Sequence, residues 1–416
     1  MLAHRLDDCQ LSVGMAVGIT DAKSHRVVAY GRCDNDGRRP VSENTIFEIG
    51  SITKLFTALL LSDMANRGEV ELTEPVGKLL PAGVQVPERN GRSITLRDLA
   101  SHHSGLPRLP TNLEPNDRQD PYAHYTVEHL YAFLANHQLT RTPGDTFGYS
   151  NVGVGLLGHA LGLRAGAPYA SLVHDRILAP LVMSDTAIVV PSRLSDLVAK
   201  GHDANLDPVS DWHLGILEGA GALRSNVPDL LLFLDALNDP GSPLGPMVTP
   251  LVTPRDRGGL ELGPLHPDGG VALSHSGGTG GFRSFVRCIP QWRRGVVVLS
   301  NSAIDAVVDL GVHLLDSRMG MHWYRKEAVV DPRIFARLVG RYQLRPNHVF
   351  EVTSSAGQLH AQLTGQPAFR LFPTSEWHFF YKVVGAQITF ETGDDGRAAR
   401  LILHQNSLDQ IAERIG

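Results

Sequence analysis

Ser51 and Lys54 lie three residues apart at the start of a strongly apolar segment. The run from Ile52 to Ala65 leaves almost no polar face, which predicts a buried helix that ends near Gly68. Because residues three apart share a helix face, we expect the Lys54 amine to reach the Ser51 hydroxyl. Low polarity around the amine disfavours its charged form and lowers its pKa. A neutral amine can accept a proton, so the pair predicts a nucleophilic serine.

Tyr149 is the second candidate, in the only Tyr-x-Asn sequence of the chain, Tyr149-Ser150-Asn151. It follows a turn at residues 143–145 and precedes an apolar helix expected from Val152 to about Leu161, at a junction where side chains can converge on a cleft. A phenol beside Lys54 would be pushed toward phenolate and could take the serine proton. The alternative is a buried tyrosine whose hydroxyl caps a backbone carbonyl.

His275-Ser276-Gly277 is the third candidate, although His-x-Gly also occurs at His103 and at His213. Its context differs, because a glycine-rich stretch and two apolar runs, 285–289 and 296–299, follow it. These runs predict a β-hairpin at the edge of a sheet. The alternative is a glycine-rich turn with no further role.

An edge strand at this place could pair with an extended, peptide-like substrate. It could also supply a second N–H group for an oxyanion, for which Gly278 is the candidate. The first N–H group would come from Ser51, at the positive end of its helix.

Taken in this order, Ser-x-x-Lys, Tyr-x-Asn and a late His-x-Gly strand resemble the penicillin-recognising serine hydrolases. The closest resemblance is to the class C β-lactamase-like group with its DD-peptidase, D-aminopeptidase and carboxylesterase relatives. The stretches 94–106 and 219–225 and the helix from Pro228 look like the same group. The resemblance covers roughly residues 10–320.

The resemblance implies an acyl-enzyme on Ser51, with Tyr149 and Lys54 activating the serine and the N–H groups of Ser51 and Gly278 forming the oxyanion hole. It implies neither a metal nor a cofactor. Residues expected to bind substrate or to support the site are Asn151, His275, Gly277, Gly278 and Arg283.

One departure from the family pattern concerns charge. The chain contains no Lys-Thr-Gly, and His275 stands where most β-lactamases and penicillin-binding proteins have a lysine. A histidine is largely neutral near pH 7 and would hold a substrate carboxylate less firmly. Arg283 could compensate in part.

We therefore expect cleavage of amide or lactam bonds, in β-lactams or in D-alanine-type peptides. One alternative is a carboxylesterase that acts on short-chain esters. An alternative of another class is a penicillin-binding sensor without catalysis, which the presence of Ser51, Lys54, Tyr149 and Asn151 disfavours.

Other catalytic patterns are absent or out of place. The Gly-x-Gly-x-x-Gly at residues 153–158 lies inside an expected helix rather than after a strand, so it indicates close packing. The sequence has no Gly-x-Ser-x-Gly, no phosphate-binding loop and no His-Glu-x-x-His. The adjacent His102 and His103 lack a third metal ligand and are interpreted as structural.

The fold class implied by the resemblance is α/β of the α+β kind. An antiparallel sheet flanked by helices would combine strands near 11–19 and 26–30 with the hairpin at 285–299, and a mostly helical subdomain would span about 81–225. Specificity is expected in the loops 107–124 and 203–217.

We place this hydrolase domain at residues 1–328 and a second domain at 333–416. In the second domain, short alternating runs between glycine-rich turns predict a small antiparallel β-barrel. It resembles the lipocalin-like appendages of some family members, and it could mediate homo-oligomer contact or limit substrate size; the alternative is a domain that only adds stability.

The composition of the chain limits the kinds of partner that it can bind. The chain has 416 residues, a formal net charge of −5 and no basic run, which argues against nucleic acid and anionic membrane partners and leaves a small-molecule or short-peptide substrate. Its three scattered cysteines argue against a disulfide framework. No apolar run approaches the roughly 18 residues of a membrane span, and residues 1–9 have neither the apolar core nor the small-residue cleavage site of a signal peptide. We expect a cytoplasmic protein as written, and a periplasmic or secreted one if an export signal was removed.

Overall fold

A computed structural model describes residues 1–21, 24–35, 37–115, 117, 119–248, 261–262, 272–322, 324–405 and 408–415. The chain forms two compact units. One is Ser12–His322, and the other combines Met1–Leu11 with Trp323–Gly416. No sequence pattern indicates that the first eleven residues join the C-terminal unit.

The unit Ser12–His322 is built on a six-stranded antiparallel sheet. Its strands are β1 (Gly14–Asp21), β2 (Ser24–Gly31), β7 (Glu261–Leu262), β8 (Leu273–Gly278), β9 (Arg283–Ile289) and β10 (Arg294–Ser300), in the order β2-β1-β10-β9-β8-β7. Short pairs outside this sheet are β3 (Phe47–Glu48) with β6 (Arg224–Ser225), and β4 (Glu88–Arg89) with β5 (Arg92–Ser93).

The predicted hairpin is present as β9 and β10, but its predicted position at the sheet edge is wrong. Nearly every residue of both strands is buried, because helices cover the sheet. A strand buried on both faces has a continuous apolar run rather than an alternating one, which is how 296–299 reads. Strand β8, which carries His275, lies nearer the edge, and the described part of β7 pairs only with its residues Leu273 and Ser274.

Helices cover the sheet and form the intervening subdomain. Their bounds are α1 (Thr53–Asn66), α2 (Leu96–Ala100), α3 (Val127–Asn136), α4 (Asn151–Ala165), α5 (Tyr169–Val173), α6 (Val227–Asn238), α7 (Gly245–Val248) and α8 (Val308–Leu315). Helix α1 is buried over almost its whole length, as its apolar sequence predicts. Helix α6 packs on β1 and β10, and α8 packs on β9 and β10.

The second unit contains α9 (Phe335–Leu338) and a closed antiparallel barrel of eight strands. The strands are β11 (Gly340–Arg345), β12 (His348–Ser355), β13 (Gln358–Leu363), β14 (Phe369–Pro373), β15 (His378–Phe380), β16 (Ala386–Thr392), β17 (Ala398–Gln405) and β18 (Leu408–Arg414). The predicted barrel is confirmed, and pairing of Tyr342 with Arg414 closes it. Alternate residues such as Phe350 and Val352 point inward and pack with Leu359, Phe379 and Phe390 into one apolar core.

Among the helices that the structure describes, none is both long and apolar enough to cross a membrane.

Candidate active site

Ser51 lies in a single 3₁₀ turn, Gly50–Ile52, that leads into α1. Gly50 has a φ of +49°, a conformation that favours glycine. A Cβ at this position would also lie 2.7 Å from the Gly278 nitrogen. The turn therefore requires glycine twice over, and it brings the backbone of β8 against the start of α1 beside Ser51.

Two side chains converge on the Ser51 hydroxyl. Lys54 Nζ donates to Ser51 Oγ at 2.9 Å, and the Tyr149 hydroxyl donates to the same oxygen at 2.8 Å. Lys54 Nζ also donates to the Ala220 carbonyl at 2.6 Å. The structure thus brings together the three residues that the sequence singled out for catalysis.

The Lys54 side chain is buried, with 1% of the residue exposed. Burial, with a smaller contribution from the positive charge of Arg108, lowers the pKa of Lys54 from 10.5 to about 7. The amine is therefore neutral in a large fraction of molecules near neutral pH. Its lone pair is then available to the Ser51 proton.

Tyr149 is surrounded by basic side chains. Lys54 Nζ lies 5.0 Å from the centre of its ring, Arg108 Cζ lies 5.1 Å from it, and the His102 ring centre lies 4.5 Å away. Cations over an aromatic face are attracted by its electron density. Unlike Lys54, Tyr149 is partly exposed.

His102 is a site residue that the sequence reasoning missed by treating it as structural. Its carbonyl accepts from the Gly148 N–H at 2.7 Å, and its Nδ1 accepts from the Ser150 N–H at 3.2 Å. It thereby holds both neighbours of Tyr149 while its ring lies against the phenol. Burial lowers the pKa of His102 to about 3, with a further contribution from Lys54, so Nδ1 stays an acceptor. No spacing rule could have revealed a contact made through the backbone.

Asn151 is the first residue of α4, after Ser150, whose hydroxyl accepts from the Gly153 N–H. Its Oδ1 is buried and has no hydrogen-bond partner among the described residues. The bonds of Lys54 go to Ser51 and Ala220 rather than to Asn151. A role for Asn151 toward Lys54 or a substrate amide therefore stays a prediction.

His275 is buried, and its Nδ1 donates to the Ser276 carbonyl at 2.7 Å. Its Nε2 is buried without a partner in the described part of the chain. Burial, with Lys54 nearby, lowers the pKa of His275 to about 4. The imidazole is therefore neutral at physiological pH, as expected from its residue type.

Arg283 and Gly277 shape the end of β8. Arg283 Nη1 donates to the carbonyls of Thr279 and Phe282, at 2.9 and 2.8 Å, and so holds the turn that joins β8 to β9. A Cβ on Gly277 would clash with the Ile49 carbonyl oxygen. Because glycine has no Cβ, β8 can lie against Ile49, the residue before the Ser51 turn. Compensation for the missing lysine by Arg283 stays a prediction.

The chain that carries this site is similar to known proteins in sequence and in fold. Residues 3–315 match the sequence pattern of the family described as Beta-lactamase. The chain belongs to the beta-lactamase family. Residues 324–414 match a domain of unknown function, DUF3471.

Curated members of the family share modest identity with this chain. Penicillin-binding protein 4* of Bacillus subtilis (strain 168) is 25% identical over 424 residues, which cover 93% of this chain and 91% of that protein. The D-alanyl-D-alanine-carboxypeptidase/endopeptidase AmpH of Escherichia coli (strain K12) is 33% identical over 175 residues, or 42% of this chain and 45% of that protein.

Solved structures of the family are also similar. A β-lactamase/D-alanine carboxypeptidase from Yersinia pestis has a TM-score of 0.65 and 25% identity over 76% of this chain and 95% of its own. An octameric penicillin-binding protein homologue from Pyrococcus abyssi has a TM-score of 0.67 and covers 99% of this chain and 98% of its own. At 22% identity, the second likeness shows the fold alone.

In this member of the beta-lactamase family, a cavity of about 30 Å³ opens beside Ser51. Its lining residues are Gly50, Ser51, Tyr122, Asn151, Trp212, Leu214, Leu217, Ala220, Gly221, Gly278 and Thr279. The Tyr122 and Trp212 rings meet edge to face, with centres 5.2 Å apart. One ring comes from each of the two loops that the sequence analysis assigned to specificity.

A buried ion pair holds one wall of this cavity, and no sequence pattern predicts it. Glu48 Oε1 accepts from Arg224 Nη2 at 3.0 Å and from the Trp212 N–H at 2.9 Å. Burial raises the pKa of Glu48, while Arg224 opposes that rise. Glu48 lies two residues before the Ser51 turn, so the ion pair fixes the Trp212 loop to the segment that leads into this turn.

Searched over the described residues, the chain has no group of three or more His, Cys, Asp or Glu side chains placed to hold a metal ion.

Proposed function

We propose that this protein is a serine hydrolase that cleaves amide or lactam bonds, in D-amino-acid peptides or β-lactams, through an acyl-enzyme on Ser51. The observation that carries the proposal is the Ser51 oxygen held between Lys54 Nζ at 2.9 Å and the Tyr149 hydroxyl at 2.8 Å. The names of the family relatives, which include a D-alanyl-D-alanine carboxypeptidase and β-lactamases, support the substrate class.

Acylation begins when Ser51 Oγ bonds to the substrate carbonyl carbon while neutral Lys54, together with Tyr149, takes its proton. The carbonyl electron pair moves onto oxygen, and the N–H groups of Ser51 and Gly278 stabilise that oxyanion. The carbon–nitrogen bond then breaks, and the leaving nitrogen takes a proton. Because Lys54 is buried and Tyr149 is partly exposed, Tyr149 donates that proton, and Lys54 passes the proton taken from Ser51 to Tyr149, so both groups return to their starting state. Water hydrolyses the acyl-enzyme by the reverse proton path.

Ester cleavage is the second candidate, and one observation favours it. The cavity beside Ser51 is small and largely apolar, and the buried His275 contributes no positive charge to the site. A short neutral acyl group, unlike a carboxylate, needs no positive charge beside it.

The test is turnover of nitrocefin, acetyl-D-Ala-D-Ala, a D-amino-acid amide and p-nitrophenyl butyrate by the wild type and by Ser51→Ala. We expect cleavage of the lactam or of the D-peptides by the wild type, and a loss of at least about 10³-fold in the variant. Cleavage of the ester alone would replace the proposal by the second candidate. A stable penicillin adduct without turnover would indicate a sensor.

A further inference from the structure

Arg108 is fixed at the start of α4 by its own backbone. Its carbonyl accepts from the Asn151 N–H at 2.9 Å and from the Val152 N–H at 3.4 Å. The preceding carbonyl, of Pro107, accepts from the Ser150 hydroxyl at 2.7 Å. Arg108 is therefore held on the segment that carries Tyr149 and Asn151.

The Arg108 side chain is exposed, and its guanidinium lies over the Tyr149 ring, with Cζ 5.1 Å from the ring centre. Among the residues that the structure describes, no carboxylate pairs with it. A guanidinium that is exposed, stacked and without an acidic partner keeps its five N–H donors available to a ligand.

The other basic side chains around Ser51 are either neutral or already bonded to protein groups. Lys54 is buried with a pKa of about 7. Arg283 donates to two backbone carbonyls, and Arg224 pairs with Glu48. The imidazole of His275 is neutral. Within the described part of this site, Arg108 is thus the permanently charged side chain that remains available to bind an anion.

We propose that Arg108 binds the substrate carboxylate beside Tyr149 and so makes the site prefer anionic amide substrates to neutral ones. This inference rests on the proposed function, because it names the substrate group that the same site recognises. It assigns to Arg108 the anion contact that the sequence analysis expected from the third motif.

The distances allow this contact. In a peptide that ends in a D-amino acid, the carboxylate carbon lies three bonds from the scissile carbonyl carbon, or about 3–4 Å away. The scissile carbon must approach Ser51 Oγ, which lies 2.8 Å from the Tyr149 hydroxyl. A carboxylate at that distance lies beside the phenol, within reach of a guanidinium stacked on the same ring. Its two oxygens match the planar fork of arginine.

The expected effect is a change in selectivity. A charge-assisted hydrogen bond to a substrate is worth about 1.5–3 kcal/mol, which corresponds to about 10–150-fold in kcat/KM. We would compare acetyl-D-Ala-D-Ala with acetyl-D-Ala-D-alaninamide, which differ only in the terminal charge. For Arg108→Gln, we expect the acid-to-amide ratio of kcat/KM to fall about 10–100-fold, mainly through KM for the acid. Arg108→Lys should lie between, because it keeps the charge without the fork.

Arg26→Gln is the matched control. Arg26 is also exposed and lies on β2, four strand spacings or roughly 19 Å from β8. The Arg26→Gln substitution removes the same charge far from Ser51, so it should leave the acid-to-amide ratio unchanged. An equal loss for acid and amide in Arg108→Gln would overturn the proposal, since Arg108 would then act only through Tyr149 or Lys54. An unchanged ratio would overturn it too.

Binding to Ser51→Ala, measured by calorimetry, separates this inference from the catalytic one. We expect this variant to bind the acid at least about tenfold more tightly than the amide, and the added Arg108→Gln change to abolish the difference. If that holds while the wild type turns nothing over, the proposed hydrolysis fails and the carboxylate contact stands. If Ser51→Ala binds acid and amide equally, the carboxylate contact fails whatever the turnover.

Discussion

Each of the two units buries a lysine, and the two lysines have different partners. Lys54 in the Ser12–His322 unit is 1% exposed and donates only to a hydroxyl, of Ser51, and a carbonyl, of Ala220. Lys382 in the barrel unit is 8% exposed and lies 3.9 Å from the Glu327 carboxylate and 4.1 Å from the centre of the Phe372 ring. Burial lowers both pKa values, to about 7 for Lys54 and about 8 for Lys382.

The difference shows how a buried amine is prepared for different tasks. Both amines lie over an aromatic ring, but only Lys382 has a carboxylate nearby, and Glu327 offsets part of its desolvation, so its ammonium is tolerated in a closed fold. Lys54 lies beside Arg108 instead, and that charge opposes protonation. Buried polar atoms without partners, such as Asn151 Oδ1 and His275 Nε2, also lie in the Ser12–His322 unit, and the described part of the barrel has none. Unsatisfied polar groups of this kind concentrate where a substrate must bind.

Lys54→Met gives the sharpest contrast between the two lysines. We expect kcat/KM to fall about 10²–10⁴-fold, because the proton acceptor is lost. Lys382→Met, whose partners all belong to the barrel unit, should leave kcat/KM unchanged. Steady-state kinetics on the substrate found for the wild type measures both. Equal losses would show that the buried charge matters only for folding.

Lys54→Met should also stabilise its unit at pH 7. The folded pKa of about 7 lies below the unfolded value of 10.5, so the unfolded state binds the extra proton between these pH values. The wild type therefore loses stability as the pH falls from 10.5 to 7, by up to about 5 kcal/mol. After subtraction of two hydrogen bonds, the variant should gain on the order of 2–3 kcal/mol in urea denaturation at pH 7. A net loss there would mean that the lysine contributes to folding as well as to catalysis.

The pH profile tests the same amine in the active enzyme. We expect kcat/KM to rise about tenfold per pH unit up to about pH 7 and then to level off, as Lys54 loses its proton. Because Arg108 lowers the pKa of Lys54, Arg108→Gln should move the midpoint upward, by a fraction of a pH unit since Arg108 is exposed. Arg26→Gln should not move it. A midpoint that shifts downward would contradict this electrostatic arrangement.

His102 should position Tyr149 without contacting substrate. We expect His102→Ala to lower kcat about tenfold or more, with little change in KM, because the Gly148–Ser150 segment loses a side-chain acceptor. His102→Asn should recover part of the loss, since asparagine offers an acceptor and tolerates the φ of +59° at this position. His102→Phe keeps a ring but no acceptor, so it should not recover it. If Phe recovers activity and Asn does not, the ring packing matters rather than the hydrogen bond.

Local periodicity could predict the parts of this molecule that depend on neighbours in sequence. The i,i+3 spacing placed Lys54 against Ser51, and alternating runs after residue 340 predicted the barrel. Contacts between distant segments left no such signal. Glu48 and Arg224 are 176 positions apart, and the anchoring of Arg108 depends on backbone bonds to the start of α4. The continuous apolar run at 296–299 did carry a signal for a central strand, which the edge interpretation overlooked.

Acid stability separates the buried His275 from the partly exposed His360. The folded pKa of His275 is about 4, below its ordinary value of 6.5, so its neutral form contributes stability above pH 6.5 that is lost as the pH falls toward 4. Between pH 7 and pH 5, this group should lower the unfolding free energy by about 2 kcal/mol. His275→Gln should remove that part of the loss. His360→Gln in the barrel should change the loss much less. Burial lowers the pKa of His360 too, but this residue stays partly exposed to solvent, which weakens the effect. Urea denaturation at the two pH values measures both, and equal effects would mean that the environment of His275 is as solvated as a barrel surface.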